Sequence, residues 1–283
     1  MSFAFILVLF IFWTIFGSFG WVIIERGKDG FAWGAWGEVF GWRSYCPWCE
    51  GKLLTRRQLI PLVGRLVQRG KCYRCKLPIP AWYCWIEVIV WVVFVITGLW
   101  VVHNQWLLEV LVNGWGELIW RLMVSWLLTL IIIHDLMTQQ LNLYAWVLLF
   151  VVSSVLIFAM PQIVWFGWFV WALVLVTVFG WIYIGAKRYA THINDGIDTE
   201  WFGEGDVMMA LLIGVLSGPM IATRWATMSI QMMFVYLILS STLWIIFFLV
   251  MWKKSSWDDK KIPFLPAMIV AWRSIVIAFH FFL

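Results

Sequence analysis

The stretch Leu118–Asp135, LIWRLMVSWLLTLIIIHD, decides how this chain is built. Its apolar body approaches the roughly 20 residues that a helix needs to cross a bilayer. It then stops on an acid, Asp135. Carboxylates are expensive within or beside a membrane span, so an acid in that position is a candidate for function.

Working outward, seven more apolar stretches have the same character, and together the eight are read as spans at 3–24, 82–101, 118–134, 141–159, 163–186, 207–222, 228–251 and 263–282. The expected fold is an all-α membrane protein of about eight transmembrane helices. Composition agrees: 64% of residues are hydrophobic and 12% charged, against roughly a quarter charged in soluble domains. Mean hydropathy is +0.90. The first stretch has no basic residue before it and no small-residue cleavage site after it, which predicts an anchor and not a removed signal peptide. Domain by domain, the reading is a first transmembrane helix at 1–24, a polar loop at 25–81 and a membrane core at 82–283.

Basic residues set the orientation. Segments 25–81, 187–188 and 253–261 hold 17 of the 20 Lys and Arg residues, and an eight-crossing chain puts all three on one side. The positive-inside rule makes that side cytoplasmic and both termini external. The net charge of +5 thereby reads as a topology signal in preference to nucleic-acid binding. The 25 Trp residues are spread without the spacing of a base-stacking platform, and interfacial belts are the expected use for some.

Parity then turns one acid into two. Asp206 follows Gly203-Glu204-Gly205 and opens the sixth stretch. Two crossings separate it from Asp135, and an even number returns the chain to the same side. Both carboxylates therefore belong at the cytoplasmic boundary. A carboxylate pair can hydrolyse a peptide when one member is ionised and takes a proton from water, while the other is protonated and hydrogen-bonds the scissile carbonyl. Asp206 at a helix N-terminus is the expected ionised member, because the dipole favours negative charge there and disfavours it at the C-terminus that carries Asp135. Taken singly, each Asp can also be a plain marker of a helix end. The flanking Gly203 and Gly205 favour a site at Asp206, since they permit close backbone approach beside the acid.

The polar loop carries a second constellation. Cys46-Pro-Trp-Cys49 and Cys72-Tyr-Arg-Cys75 are two CxxC pairs separated by 22 residues. Each pair lets two thiolates reach one ion from a tight turn, and two such turns complete a tetrahedral zinc site. Two disulfides are the competing arrangement, which the reducing cytoplasm disfavours. Four thiolates leave no open position for a reactive water, so the zinc is expected to be structural. Cys84, at the start of the second stretch, reads as a small packing residue.

These residues resemble the type IV prepilin peptidases, which are GxGD membrane aspartyl proteases. Gly203-Glu204-Gly205-Asp206 matches the GxGD signature, and Asp135-Leu136 matches the first catalytic aspartate. Within Ser44–Glu87 the cysteine spacing, Ile60-Pro61-Leu62, Arg69-Gly70-Lys71-Cys72 and Glu87 resemble the family's zinc loop. Gly17-Ser18-Phe19 and Ile262-Pro263-Phe264 also fit. The resemblance implies a multi-pass enzyme of the bacterial inner membrane that serves type IV pili or protein secretion. It would cleave the basic leader from prepilins or pseudopilins at the cytoplasmic face, after a glycine. For members with four cysteines it also implies N-methylation of the new terminus with S-adenosylmethionine; no cofactor fingerprint is visible in the sequence. The chain departs from the family pattern at Trp21, Asn142, Trp201 and Met208.

A basic leader gives meaning to the loop 187–206. It sets Lys187 and Arg188 against Asp195, Asp198, Glu200, Glu204 and Asp206, leaving three negative charges beside the pair. An acidic strip of this kind can attract leader Lys or Arg, although a solvated loop would look the same. Of the remaining polar groups, His134 is expected to point about 100° from Asp135 on a helix, and Arg273 in the last stretch calls for an acidic or carbonyl partner. Two other functions compete with a peptidase. A non-catalytic assembly factor would use the zinc loop to bind a partner, and a transporter would use the acids for protons. A transporter expects acids near mid-membrane, whereas these lie at span ends.

Overall fold

A computed structural model describes residues 3–26, 63–72, 75–104, 115–138, 140–159, 162–193, 204–222, 235–243, 245–246 and 265–282. Among these the chain is almost entirely helical: α1 Phe3–Arg26, α2 Val63–Val67, α3 Trp82–Asn104, α4 Trp115–Thr138, α5 Leu143–Ala159, α6 Gln162–Ile193, α7 Glu204–Ala222 and α8 Leu265–Phe282. Residues 235–243 are also helical. The only β pairing described is an isolated antiparallel bridge between Lys71 and Pro78.

Three of these helices, over Phe5–Arg26, Trp82–Val102 and Leu118–Thr138, are long and apolar enough to cross a membrane. Helix is the form such segments take because lipid offers the backbone no hydrogen-bond partner. Two boundaries differ from the sequence expectation. Helix α4 continues through Thr138, so Asp135 sits inside its last turn instead of after it. Helix α6 runs to Ile193, which makes Lys187 and Arg188 helical residues and not part of a loop. Between Ala186 and Ile193 there is no Gly or Pro, and Ala, Lys and Arg favour helix, so a polar end prolongs the apolar helix.

The chain divides into two compact units. Unit 1 comprises Met1–Ile133 with Asn142–Leu149, and unit 2 comprises His134–Leu141 with Phe150–Leu283. In unit 1, α1 packs against α3 and α4 through small residues and indole hydrogen bonds. A Cβ on Gly98 of α3 would meet Leu9 at 3.0 Å and Phe5 at 3.2 Å; one on Gly20 of α1 would meet Leu130 at 2.8 Å. Glycine at both positions lets the helix backbones come close, which is how helices gain packing contact in lipid. Trp13 Nε1 donates to the Glu87 carbonyl at 3.0 Å and Trp126 Nε1 to the Phe16 carbonyl at 2.9 Å. Thr97 donates to Ser125 at 3.1 Å between α3 and α4. The Arg121 guanidinium lies 4.3 Å from the Trp100 ring centre, a cation–π contact for a basic residue at the helix end.

Asn142 shows how a departure from the family pattern is accommodated. Its Oδ1 accepts from the Ala145 amide at 3.1 Å, the N-cap bond of α5. Its Nδ2 donates to the Ile23 carbonyl of α1 at 3.3 Å, and the residue is buried. Asn142→Ala should lower stability by about 1–2 kcal/mol, from the lost cap and the lost inter-helix bond. Thermal unfolding in detergent measures this; an unchanged midpoint contradicts the assignment.

Candidate active site

The two aspartates come from opposite helix ends. Asp135 occupies the last turn of α4 and Asp206 the first turn of α7, where Glu204 is the other acid. Both belong to unit 2. They are 4% and 6% exposed, so the carboxyls face protein and not lipid or open water. The Asp206 charge acts on Asp135, which puts the two groups within electrostatic reach of each other. Oδ2 of Asp135 is buried with no hydrogen-bond partner among the described residues. A carboxyl oxygen held that way costs about 1–3 kcal/mol. It is left with the capacity to accept or donate one further hydrogen bond.

The neighbour His134 is buried and points away from this role. Its Nδ1 lies 2.8 Å from the Gln140 carbonyl, and since a carbonyl only accepts, Nδ1 carries the proton. Thr138 Oγ1 lies 3.1 Å from the same ring nitrogen and donates to the His134 carbonyl at 2.8 Å. His134 thus ties down the chain where α4 ends, one residue from Asp135. The alternation of 100° per residue separates the two side chains as the sequence predicts.

At the other acid, the helix start is fixed from α6. Helices α6 and α7 pack together in unit 2. Tyr183 donates from its hydroxyl to Glu204 Oε1 at 3.1 Å, and Lys187 Nζ lies 5.8 Å from the Tyr183 ring centre. Glu204 is exposed, while Gly205 is half-buried between the two acids. Gly203, Asp195, Asp198 and Glu200 lie outside the described residues, so Glu204 is the member of the acidic strip whose setting can be given.

One buried polar residue of unit 2 was not singled out by the sequence reading. Tyr236, in the helical residues 235–243, is 5% exposed, belongs to unit 2, and lies within electrostatic reach of Asp206. Its hydroxyl is buried with no hydrogen-bond partner among the described residues. A signal was available: Tyr236 and Ser240 are four residues apart in an otherwise apolar run, and so share one helix face.

The cysteine loop is described in part. Helix α2 ends in a reversal in which Gly70 N donates to Arg65 O and Arg69 N to Leu66 O, both at 3.0 Å. Arg69 and Gly70 have φ of 51° and 71°, the left-handed conformation of a Schellman cap. The chain then forms a tight hairpin: Cys72 N donates to Leu77 O at 2.9 Å, Lys76 N to Cys72 O at 3.0 Å and Ile79 N to Gly70 O at 2.8 Å. Lys76, directly after the second cysteine, has φ of 61°. Cys72 is buried and Cys75 half-buried beside these bonds. Arg65 Nη1 donates to Pro80 O at 2.8 Å and anchors the hairpin beside the start of α3. Cys46 and Cys49 lie outside the described residues, and among the described residues no group of three or more potential metal ligands assembles.

Comparison with known proteins bears on the first part of the chain. Neither the curated proteins nor the solved structures return a match. Residues 11–101 match the family model of the Bacterial Peptidase A24 N-terminal domain. That segment, about a third of the chain, holds most of α1, α2, the cysteine hairpin and most of α3, so the likeness is to the N-terminal domain of a peptidase family.

Proposed function

We propose that the chain is a membrane aspartyl endopeptidase that removes the basic leader from prepilin-like substrates, with Asp135 and Asp206 as its catalytic pair. The observation that carries this reading is that two buried carboxyls, one from the last turn of α4 and one from the first turn of α7, belong to one compact unit. The family match over residues 11–101 supports it independently, because that segment contains neither aspartate.

The chemistry follows from the two settings. Asp206 lies where the helix N-terminus favours a carboxylate, and it takes a proton from water. Asp135, protonated, hydrogen-bonds the oxygen of the scissile carbonyl. The water oxygen adds to the carbonyl carbon, the C–N bond breaks, and the leaving amine departs with a proton returned by the pair. Burial excludes bulk water from this exchange and strengthens each electrostatic interaction. Asp135→Asn and Asp206→Asn should each reduce leader removal by at least about a thousandfold. Intact mass of a candidate prepilin incubated with the purified protein reads leader loss and added methyl separately. Retained cleavage in either variant refutes the pair.

Zinc would be held by Cys46, Cys49, Cys72 and Cys75, and the hairpin at Cys72–Cys75 fits half of such a site. When bound it supplies a structural crosslink. Metal analysis should find about one zinc per chain, and Cys72→Ser should abolish it; unchanged zinc content contradicts the assignment. For S-adenosylmethionine no residue set can be named, so N-methylation rests on the resemblance and no step runs through it. The expected orientation keeps the loop and the pair cytoplasmic and the termini outside, in a bundle of about eight spans.

The acidic strip of Asp195, Asp198, Glu200 and Glu204 is the proposed receiver of the leader's basic residues. Glu204 already presents its carboxylate at the surface beside α6. Reversing Asp195, Asp198 and Glu200 to Lys should slow cleavage at low ionic strength, with the difference shrinking as salt screens it. Equal rates at low salt would remove the strip from the mechanism.

A further inference from the structure

Residues 235–243 have two unlike faces. Val235, Ile238, Ser241 and Thr242 are exposed, while Tyr236 and Ser240 are buried. Tyr236 and Ser240 thus turn inward while Val235 and Ile238 turn outward, which puts polar groups on the buried face of an otherwise apolar run. Ser240 satisfies its hydroxyl locally by donating to the Leu237 carbonyl at 3.1 Å. Tyr236 does not: its hydroxyl is shut away from solvent and meets no hydrogen-bond partner among the described residues.

Ring packing explains the phenyl part of Tyr236 and leaves the oxygen unexplained. Phenylalanine would fill the same space without the penalty of about 1–3 kcal/mol for a buried hydroxyl with no partner. Three polar atoms in unit 2 share this condition among the described residues, the Tyr236 hydroxyl, Oδ2 of Asp135 and Nε2 of His134, and the Asp206 charge acts on the first two residues. A donor and a carboxyl oxygen, each without a hydrogen-bond partner among the described residues and each under the charge of Asp206, suit a third body that brings its own oxygen.

We propose that Tyr236 is a further catalytic residue of this site, its hydroxyl donating a hydrogen bond to the scissile carbonyl oxygen as that oxygen gains negative charge. The role rests on the aspartate pair described above. The carboxyls carry the proton transfers; Tyr236 keeps its proton throughout and stabilises the oxyanion that Asp135 also contacts. A donor preorganised in a dry site acts on the transition state more than on the bound substrate, so its loss lowers kcat and leaves KM nearly unchanged.

The test uses the full chain in detergent and a synthetic peptide with a Lys- and Arg-rich leader, a glycine before the scissile bond and an apolar helix after it. Tyr236→Phe should lower kcat by about a hundredfold, with KM within about twofold and a thermal midpoint equal to or above that of the parent. A fall of tenfold or more at a retained midpoint supports the assignment. A smaller fall, or one accompanied by a lower midpoint, overturns it, because a hydroxyl kept for packing would move stability and rate together. Asp206→Asn measured in parallel separates the two levels. If that variant still cleaves, the aspartate pair fails and Tyr236 with it; if it is inactive while Tyr236→Phe matches the parent, Tyr236 alone is removed.

Discussion

Lipid leaves a polypeptide no external partner for its amides and carbonyls, and every other feature of this chain is arranged around that constraint. Helix is the response within each segment. Between segments the hydrophobic effect is of little help, because a neighbouring helix is no less polar than the acyl chains it displaces. Close packing and a few hydrogen bonds must hold the helices together instead. Gly20 and Gly98 supply the closeness in unit 1, and the Thr97–Ser125, Asn142–Ile23 and indole–carbonyl bonds supply direction. Each of these polar groups is matched locally.

Against that background, groups left unmatched are informative. Oδ2 of Asp135 and the Tyr236 hydroxyl are buried in unit 2 with no hydrogen-bond partner among the described residues, whereas His134 is bonded through Nδ1 at the end of α4. The contrast separates two uses of polar residues in one neighbourhood. A residue bonded to backbone at the end of its own helix shapes the frame. One whose polar atom meets nothing in the frame is available to a visitor.

Much of this was legible in the residue order. The stretches 3–24, 82–101, 118–134 and 141–159 coincide closely with α1, α3, α4 and α5, because an uninterrupted apolar run has only one way to exist in lipid. Counting crossings between Asp135 and Asp206 led to the expectation of a shared boundary, and both residues are buried in unit 2. Other parts were hidden for physical reasons. The helical tails at Asp135–Thr138 and Lys187–Ile193 are polar, and hydropathy sees a span end where backbone propensity continues. Tyr236 sits in a run where a single aromatic hydroxyl barely alters the average, so its burial and its company appear only when the helix face is known. Asn142 reads only as a departure from the resembled pattern in the sequence, and as a cap plus an inter-helix bond in three dimensions.

The abundance of tryptophan also looks different after the helices are placed. Trp82 and Trp85 are largely exposed at the start of α3, as belt residues would be. Trp13 and Trp126 instead spend their indole N–H on a neighbouring helix's main chain. Those carbonyls lie inside helices, so the indole uses a second lone pair and spares the ladder. Ranking residues by greasiness would therefore misjudge these two positions: leucine or phenylalanine would preserve the oiliness and erase the only directional tie there, and drift at such sites should follow donor geometry more than bulk.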